Sequence, residues 1–463
     1  MKHSPNAAQL FTSLNLPEAL TQNLASMAYH NMTDIQAAAL PPALAGQDLI
    51  AQAKTGSGKT AAFAIPLLLK INPRDFGAQA LILCPTRELS TQVANEIRKL
   101  ARYQQNIKVV TLCGGQSIGP QIGSLEHGAH IIVGTPGRIK DHLRKKTLDI
   151  SRVNTVVLDE ADRMLDMGFM EDLQGIVAQT PSQRQTLLFS ATYPDDIEAL
   201  SRQFQQQPQR VSVESHHDDA VIEQQFYLCE KSQRFESVYK LLNAYAPDSA
   251  ILFCNTKQYV RDVCKYLNDR GVSAAALHGD MEQRDRDQVF VQFKQQSCRF
   301  LVATDVAARG LDVDELPMVI NVELPRDPAI YVHRVGRTGR AGKEGFALSL
   351  CVDSERYKLD AIADYQQREI EFEVIEQVAD TLADLSPSVS TLCIAGGRKQ
   401  KVRPGDILGA LTGEAGIDGK AVGKINVLDY VAYVAVENKL ADKALGRLIN
   451  GKIKGRKFKV RKL

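Results

Sequence analysis

Two short stretches carry residues whose types and spacing can do chemistry. In AKTGSGKT, residues 53–60, the small residues Thr55, Gly56, Ser57 and Gly58 run directly into Lys59 and Thr60. Glycines at such a turn let backbone N–H groups point inward on phosphate oxygens, with a helix N-terminus behind them. Lys59 would then reach the β- and γ-phosphates of a nucleotide, and Thr60 would hold Mg²⁺. Ala53 departs from the glycine usual at the first position of such a loop. In TVVLDEADRMLDMGF, residues 155–169, an apolar run leads straight into Asp159, Glu160 and Asp162. Carboxylates this dense repel one another and resist burial, so they need a solvated turn or a strongly positive partner. A solvated turn accounts for the acids but not for their coincidence with a Gly-Lys-Thr loop. Asp159 is placed to hold the Mg²⁺ of bound ATP, and Glu160 to orient and deprotonate the attacking water. Asp162 is open between a role in the site and a cap on the helix that follows.

A third stretch, YVHRVGRTGRAG at 331–342, offers positive charge. Arg334, Arg337 and Arg340 are spaced by three, which on a helix places them on one face. A basic surface face is the plain alternative. Gly336 and Gly339, however, are poor choices for a solvated helix and suit close backbone approach. Arg337 and Arg340, presented by a second domain to the γ-phosphate, are expected to act as arginine fingers, worth about a thousandfold or more in rate.

These residues need elements to position them. At 463 residues the chain should form two to four domains, and 44% apolar with 24% charged residues is ordinary for a globular protein. The N-terminal residues have no signal-peptide pattern and no run of 18 apolar residues occurs. The eight cysteines never form CxxC and several sit in apolar runs, which reads as reduced, buried thiols in a cytoplasmic protein. Short apolar runs ending in polar clusters alternate with helical stretches. DLIAQA precedes KTGSGKT, ALILC precedes PTREL, HIIVG precedes TPGR, TVVL precedes DEAD and TLLF precedes SAT. The series restarts with AILFC before NT, FLVA before TDVAARGLD, and VINVEL leading toward HRVGRTGR. Such runs are buried strands of parallel α/β sheets, which bind ligands at the carboxyl ends of their strands. Two series predict two doubly wound parallel-sheet domains, over 1–214 and 215–365, with a break in ESHHDDA at 214–220 and a polar connection over 366–388.

The charge is uneven. Of 56 Lys/Arg and 54 Asp/Glu in total, 16 and 6 fall after residue 390, leaving 40 against 48 before it. The last segment, 389–463, is therefore strongly basic, as a module for a polyanion would be. Its apolar pattern reads strand, helix, strand, strand, helix, strand, an α+β order like that of an RNA recognition motif.

Taken together, DEAD at 159–162 with AKTGSGKT, PTREL, TPGR, SAT, TDVAARGLD and HRVGRTGR, in this order, resembles the DEAD-box RNA helicases over about residues 10–365. The resemblance implies two tandem RecA-like domains, ATP and Mg²⁺ as cofactors, and single-stranded RNA bound across both domains. It also implies roles for further residues. Gln36 corresponds to a glutamine reading the adenine edge, and Phe11 to an aromatic stacking on the base. Ala28 and Met32 depart from the family's glycine and proline in this stretch. Ser190 and Thr192, with Asp162, would couple hydrolysis to strand separation. Gly310 and Asp312 would approach the γ-phosphate and ribose, and Arg87, Gly115, Arg138, Gln283, Arg286 and Thr304 would lie along the RNA.

In the last segment, Cys393, Val431 and Tyr433 occupy the strand positions where aromatics normally stack on bases. Only Tyr433 is aromatic, so stacking on the sheet face is not expected. Arg398, Lys399, Lys401 and Arg403 in the first loop, with Lys457, Lys459 and Arg461 on the last strand, would instead clamp structured RNA by its phosphates. Lysines guarding an edge strand are the plain alternative for the second group. A DEAD-box core with such a basic domain resembles the bacterial DbpA type. That resemblance implies a protein directed to a hairpin (hairpin 92) of 23S ribosomal RNA during assembly of the large ribosomal subunit; a monomer is expected, although the sequence does not give the oligomeric state. A general helicase, an ATP-gated RNA clamp, or a last domain that docks a protein remain open at this point.

Overall fold

The apolar runs form strands, and their alternation sends successive side chains to opposite faces. The computed structural model describes residues 9–53, 57–193, 195–213, 222–308, 316–339, 344–413 and 416–463. The site candidates Thr55, Gly56, Gly310, Asp312 and Arg340, and the expected break at 214–220, lie outside the described residues.

The chain divides into two compact units near residue 218. In the first, β1 (Leu49–Gln52), β2 (Ala80–Leu83), β3 (Val109–Leu112), β4 (Ile131–Gly134), β5 (Thr155–Asp159), β6 (Gln185–Ser190) and β7 (Gln209–Ser212) form one sheet in the order β3-β4-β2-β5-β6-β1-β7. All its pairings are parallel. Ile82, Ile131 and Val157 join one buried cluster with the helix Lys59–Lys70, while Leu81, Ile132 and Val156 join another with the helix Met170–Val177. Helices thus cover both faces, and the all-apolar strands follow from burial on both sides.

The second unit begins with β8 (Ile222–Leu228), β9 (Ala250–Phe253), β10 (Ala274–Leu277), β11 (Phe300–Ala303), β12 (Met318–Asn321), β13 (Gly345–Cys351) and β14 (Phe372–Val374). They form a second parallel sheet in the order β10-β11-β9-β12-β13-β8-β14. The expected linker at 366–388 is part of this domain instead. It supplies β14 at the sheet edge and buries Ile375 and Leu385 in the core. The polar composition around these few apolar residues hid them.

The last four strands, β15 (Val389–Ile394), β16 (Val422–Val427), β17 (Ala432–Glu437) and β18 (Val460–Lys462), make an antiparallel sheet in the order β16-β17-β15-β18. Leu392, Ile394, Val434 and Val436 face the helices Pro404–Thr412 and Asn438–Asn450, with Ile407, Leu411 and Leu448 completing the core. This is the strand and helix order read from the sequence. The last strand is shorter than expected, because residues 452–459 form turns and a bridge before it. Lys457 and Lys459 therefore precede the strand and do not lie on it, and both are exposed.

Candidate active site

Parallel register gathers the chemistry at one end of the first sheet. Gln52 lies opposite Ser190, Asp159 lies opposite Phe189, and Ala53 N–H donates to Ser190 O at 3.0 Å. The loop after β1 turns at Gly58, whose φ of +93° suits glycine, and a Cβ there would come within 2.5 Å of Gln36 Nε2. Ser57 lies in the loop, while Lys59 and Thr60 open the helix Lys59–Lys70, whose N-terminal amides favour an anion. Lys59 is buried, and its Nζ donates to Ala53 O at 3.0 Å.

Asp159 ends β5 and is buried, and its Oδ1 has no hydrogen-bond partner among the described residues. Burial pushes its carboxyl up to about 6 against the opposing pull of Lys59. A buried carboxylate oxygen without a donor is the kind of group a divalent cation satisfies, so the residues fit Mg²⁺. Glu160 is also buried and holds a left-handed backbone, φ 54°, a strained conformation for a side-chain-bearing residue. Its Oε2 lies 3.5 Å from Arg163 Nη1 within an equally buried pair. Arg163 was missed from the sequence, although its position three residues along a helix was the available signal.

Asp162 does not cap the helix that follows: it lies inside the helix Ala161–Asp166, whose N-cap position is Glu160 with no side-chain cap bond. Oδ1 accepts from the adjacent Arg163 N–H at 3.0 Å. Oδ2 accepts from Ala191 N–H at 3.1 Å, Thr192 N–H at 2.9 Å and Thr192 Oγ1 at 2.9 Å. Burial pushes this carboxyl up, but the Thr192 donors and Arg163 outweigh it and hold the group below the usual carboxylate range. Ser190 Oγ donates to Thr192 O at 2.6 Å, closing the link between the acids and the end of β6.

The stretch before β1 departs from expectation. Phe11 is 1% exposed and packs edge-on against Tyr29 with ring centroids 6.0 Å apart, so it offers no open face to a base. Its spacing from Gln36 is as expected; the apolar ring finds the core first. Gln36 braces the loop: Nε2 donates to Gly58 O at 3.0 Å and Oε1 accepts from Thr33 N–H at 2.9 Å. Ala28 takes φ 63°, a glycine-like conformation. Met32 donates its N–H to Gln9 O at 2.6 Å, a bond proline cannot make.

Elsewhere in the first unit, Arg87 starts the helix Arg87–Leu100, and Gly115 turns at φ +72° where a Cβ would meet Arg87 Nη1 at 2.6 Å. Arg138 Nη2 donates to Gln116 O at 2.8 Å. Three of the expected RNA contacts thus converge on the Gly115–Gln116 turn.

In the second unit, Thr304 directly follows β11, and Arg286 Nη2 reaches Ala307 O at 3.5 Å, on the short helix that Thr304 leads. Gln283 Nε2 donates to Asp287 Oδ1 at 2.7 Å. Arg334 and Arg337 do not share a helix face, because the helix Pro328–Val335 ends before Arg337. Arg334 is an internal clamp, 2% exposed. Its Nε and Nη2 donate to Asp305 Oδ1 and Oδ2 at 2.7 Å each, and it also bonds Asn321 and Asn255. Of the two glycines, Gly336 ends the helix, while Gly339, at φ +63°, allows a close approach to Ile222, whose Cγ1 would lie 2.3 Å from a Cβ there. Arg337 follows in the turn and is buried.

In the last sheet, Cys393 and Tyr433 face Val291 on the helix Gln283–Lys294, with Val431 packed at the margin. Tyr433 is 2% exposed, and burial pushes its phenol up to about 12. Gln295 Nε2 donates to Asn426 Oδ1 at 2.8 Å, and Thr391 Oγ1 to Gln295 Oε1 at 2.8 Å. Arg461, expected on RNA, donates to Gln288 Oε1 at 2.7 Å. Gln288, Val291 and Gln295, spaced by three and four, carried the signal for this seam. Arg398, Lys399, Lys401 and Arg403 remain exposed on the first loop.

Residues 33–200 match the family described as DEAD/DEAH box helicase, 233–342 the helicase conserved C-terminal domain, and 391–462 the DbpA RNA binding domain. The S. cerevisiae protein Dbp5, solved bound to RNA and ADP BeF3, is similar in structure with a TM-score of 0.73 and 30% identity, covering 80% of this chain and 96% of that one. Two parallel sheets with a phosphate loop and a carboxylate strand end are those of an ATP-dependent RNA helicase. Among curated relatives, the ATP-dependent RNA helicase DbpA of Escherichia coli is 50% identical over 98% of this chain and 99% of its own. A Bacillus cereus DEAD-box ATP-dependent RNA helicase, CshA, is 44% identical over 78% of this chain and 69% of its own. The chain belongs to the DEAD-box ATP-dependent RNA helicases of the DbpA type.

Proposed function

We propose that the chain hydrolyses ATP to separate short RNA duplexes near a hairpin of 23S ribosomal RNA during assembly of the large ribosomal subunit, acting as a cytoplasmic monomer. The observation that carries the catalytic half is the joined set Lys59, Asp159, Glu160 and Asp162 at one strand edge, with Asp162 bonded to Thr192. Thr55, Gly56, Ser57 and Gly58 with Lys59 hold the phosphates. Thr60 and Asp159 hold Mg²⁺, which supplies charge neutralisation on the phosphates when bound. Glu160 orients water and accepts its proton, and its pairing with Arg163 fixes the carboxylate. Because Asp162 accepts three bonds from the Ala191–Thr192 turn, a shift of the acids moves that turn, which is how hydrolysis reaches the RNA. Arg337 and Arg340 act on the γ-phosphate as fingers, and Gly310 and Asp312 complete nucleotide contacts. Gln36 reads adenine with the N–H it does not spend on Gly58.

The basic last domain supplies the address, supported by its match to the DbpA RNA binding domain and the exposed loop Arg398–Arg403. The test is steady-state ATP hydrolysis with a 23S-derived hairpin fragment and an unrelated structured RNA at moderate salt. Preference for the ribosomal fragment, erased when Arg398, Lys399, Lys401 and Arg403 are all replaced by alanine, is expected. Equal stimulation by both RNAs would contradict the address and leave a general helicase. The loop variant is cleaner than removal of 391–463, which would uncover Val291 and Gln295.

A further inference from the structure

The last domain has the strand order of a fold that usually offers bases the face of its sheet, yet here that face is closed. Cys393 and Tyr433 are 6% and 2% exposed against Val291, and the seam is stitched by Gln295 to Asn426 and Arg461 to Gln288. A second surface of the same domain has the opposite character. The loop beginning at Gly397 lies directly on the turn that joins β16 to β17: Arg398 N–H donates to Leu428 O at 2.8 Å, and Lys399 N–H to Asp429 O at 2.9 Å. A Cβ on Gly397 would lie 2.2 Å from Leu428 O, so this approach requires glycine. At the tip of that turn Tyr430 is 62% exposed, the most exposed aromatic ring of the domain.

Arg398, Lys399, Lys401 and Arg403, all exposed, follow on the loop, and none has an ion-pair partner among the described residues. Asp429, also exposed, is the acid on the turn itself. The backbone bonds of Arg398 and Lys399 to Leu428 and Asp429 bring the basic loop beside the turn that carries this exposed ring. Base stacking on an aromatic beside a basic groove is how single-stranded nucleotides are held without hydrogen-bond readout.

Resting on the RNA-binding reading of this domain, we infer that the loop Gly397–Arg403 and the turn Leu428–Val431 form the RNA site, and that Tyr430 stacks on an unpaired base of the hairpin. The cations grip phosphates on either side of that base, and Asp429 is placed to accept from a base amino group. The sheet face takes no base. It fixes the domain to the helix that carries Gln283 and Arg286, so that RNA held at Tyr430 stands at a set distance from the helicase RNA track within this unit.

The experiment uses the full chain and a 23S-derived hairpin carrying 2-aminopurine in its loop, with an unrelated hairpin of equal length beside it. Wild type should bind the ribosomal hairpin preferentially and quench the probe. Tyr430→Ala should bind it roughly tenfold more weakly and lose the quench, whereas Tyr430→Phe should keep both. Basal ATPase without RNA should be unchanged in each, since Tyr430 lies outside the nucleotide machinery. Undiminished affinity, or weaker binding with the quench retained, in Tyr430→Ala would overturn the stacking site alone. A wild type that binds the two hairpins equally, or neither, would instead contradict the RNA address and leave this face to a protein partner.

Discussion

Counted from its own first strand, the second parallel sheet has the same order as the first: third, fourth, second, fifth, sixth, first, seventh. The likeness reaches the loops. After the second strand of each come Cys84-Pro-Thr86 and Cys254-Asn-Thr256, and each threonine Oγ1 accepts from the N–H three residues on, at 3.2 Å in both. The difference lies at the other strand ends. Where the first sheet's fifth strand ends in Asp159, followed by Glu160, the second sheet's fifth strand ends in Asn321, bonded to a buried arginine. One scaffold therefore places carboxylates and a lysine for phosphate chemistry, and its copy places an arginine clamp that holds its own strand ends together.

That contrast can be broken or sharpened by substitution. Arg337→Ala should lower ATP turnover about a thousandfold with ATP affinity little changed, measured by single-turnover hydrolysis and nucleotide titration. Loss confined to affinity would remove the finger role. Arg334→Ala, three residues earlier, should act on stability instead. Asp305, half-buried, would lose both guanidinium donors, at a cost of about 1.5–3 kcal/mol by urea unfolding.

Asp162→Asn should cost about 1–3 kcal/mol at neutral pH, because the replaced oxygen can no longer accept all three Ala191–Thr192 donors. The folded carboxyl lies below the usual 3.8, so its contribution is complete above that value and is lost as pH falls through the lower folded value. The gap between variant and wild type should close in acid; a pH-independent gap would mean the charge is irrelevant. The smallest effect is a gain. Ala28→Gly, at φ 63°, should stabilise the first unit by about 0.5–1 kcal/mol in thermal melts.

The two sheets were legible because fully buried parallel strands read as unbroken apolar runs, and the motif residues fall at their ends. Edge strands were not: β14 is three exposed residues in a polar stretch, and only Ile375 and Leu385 betray the packing beneath. In the active site, Lys59, Asp159 and Glu160 lie together as their spacing implied. Phe11 packs in the core and Arg334 does not share a helix face with Arg337, since sequence distance cannot say whether a ring or guanidinium finds the surface or the interior. The last domain's strand order was also readable. Which of its faces stays open was not, because that depends on Val291 and Gln295, more than a hundred residues away in the chain from β17.

Glu160→Gln is the most direct test of the claim that the first sheet's fifth strand end is the hydrolytic centre. Measured in one preparation for ATP binding, RNA binding and turnover, it should keep both affinities while hydrolysis falls about a thousandfold. Turnover near wild type would place the water's base elsewhere and contradict the account.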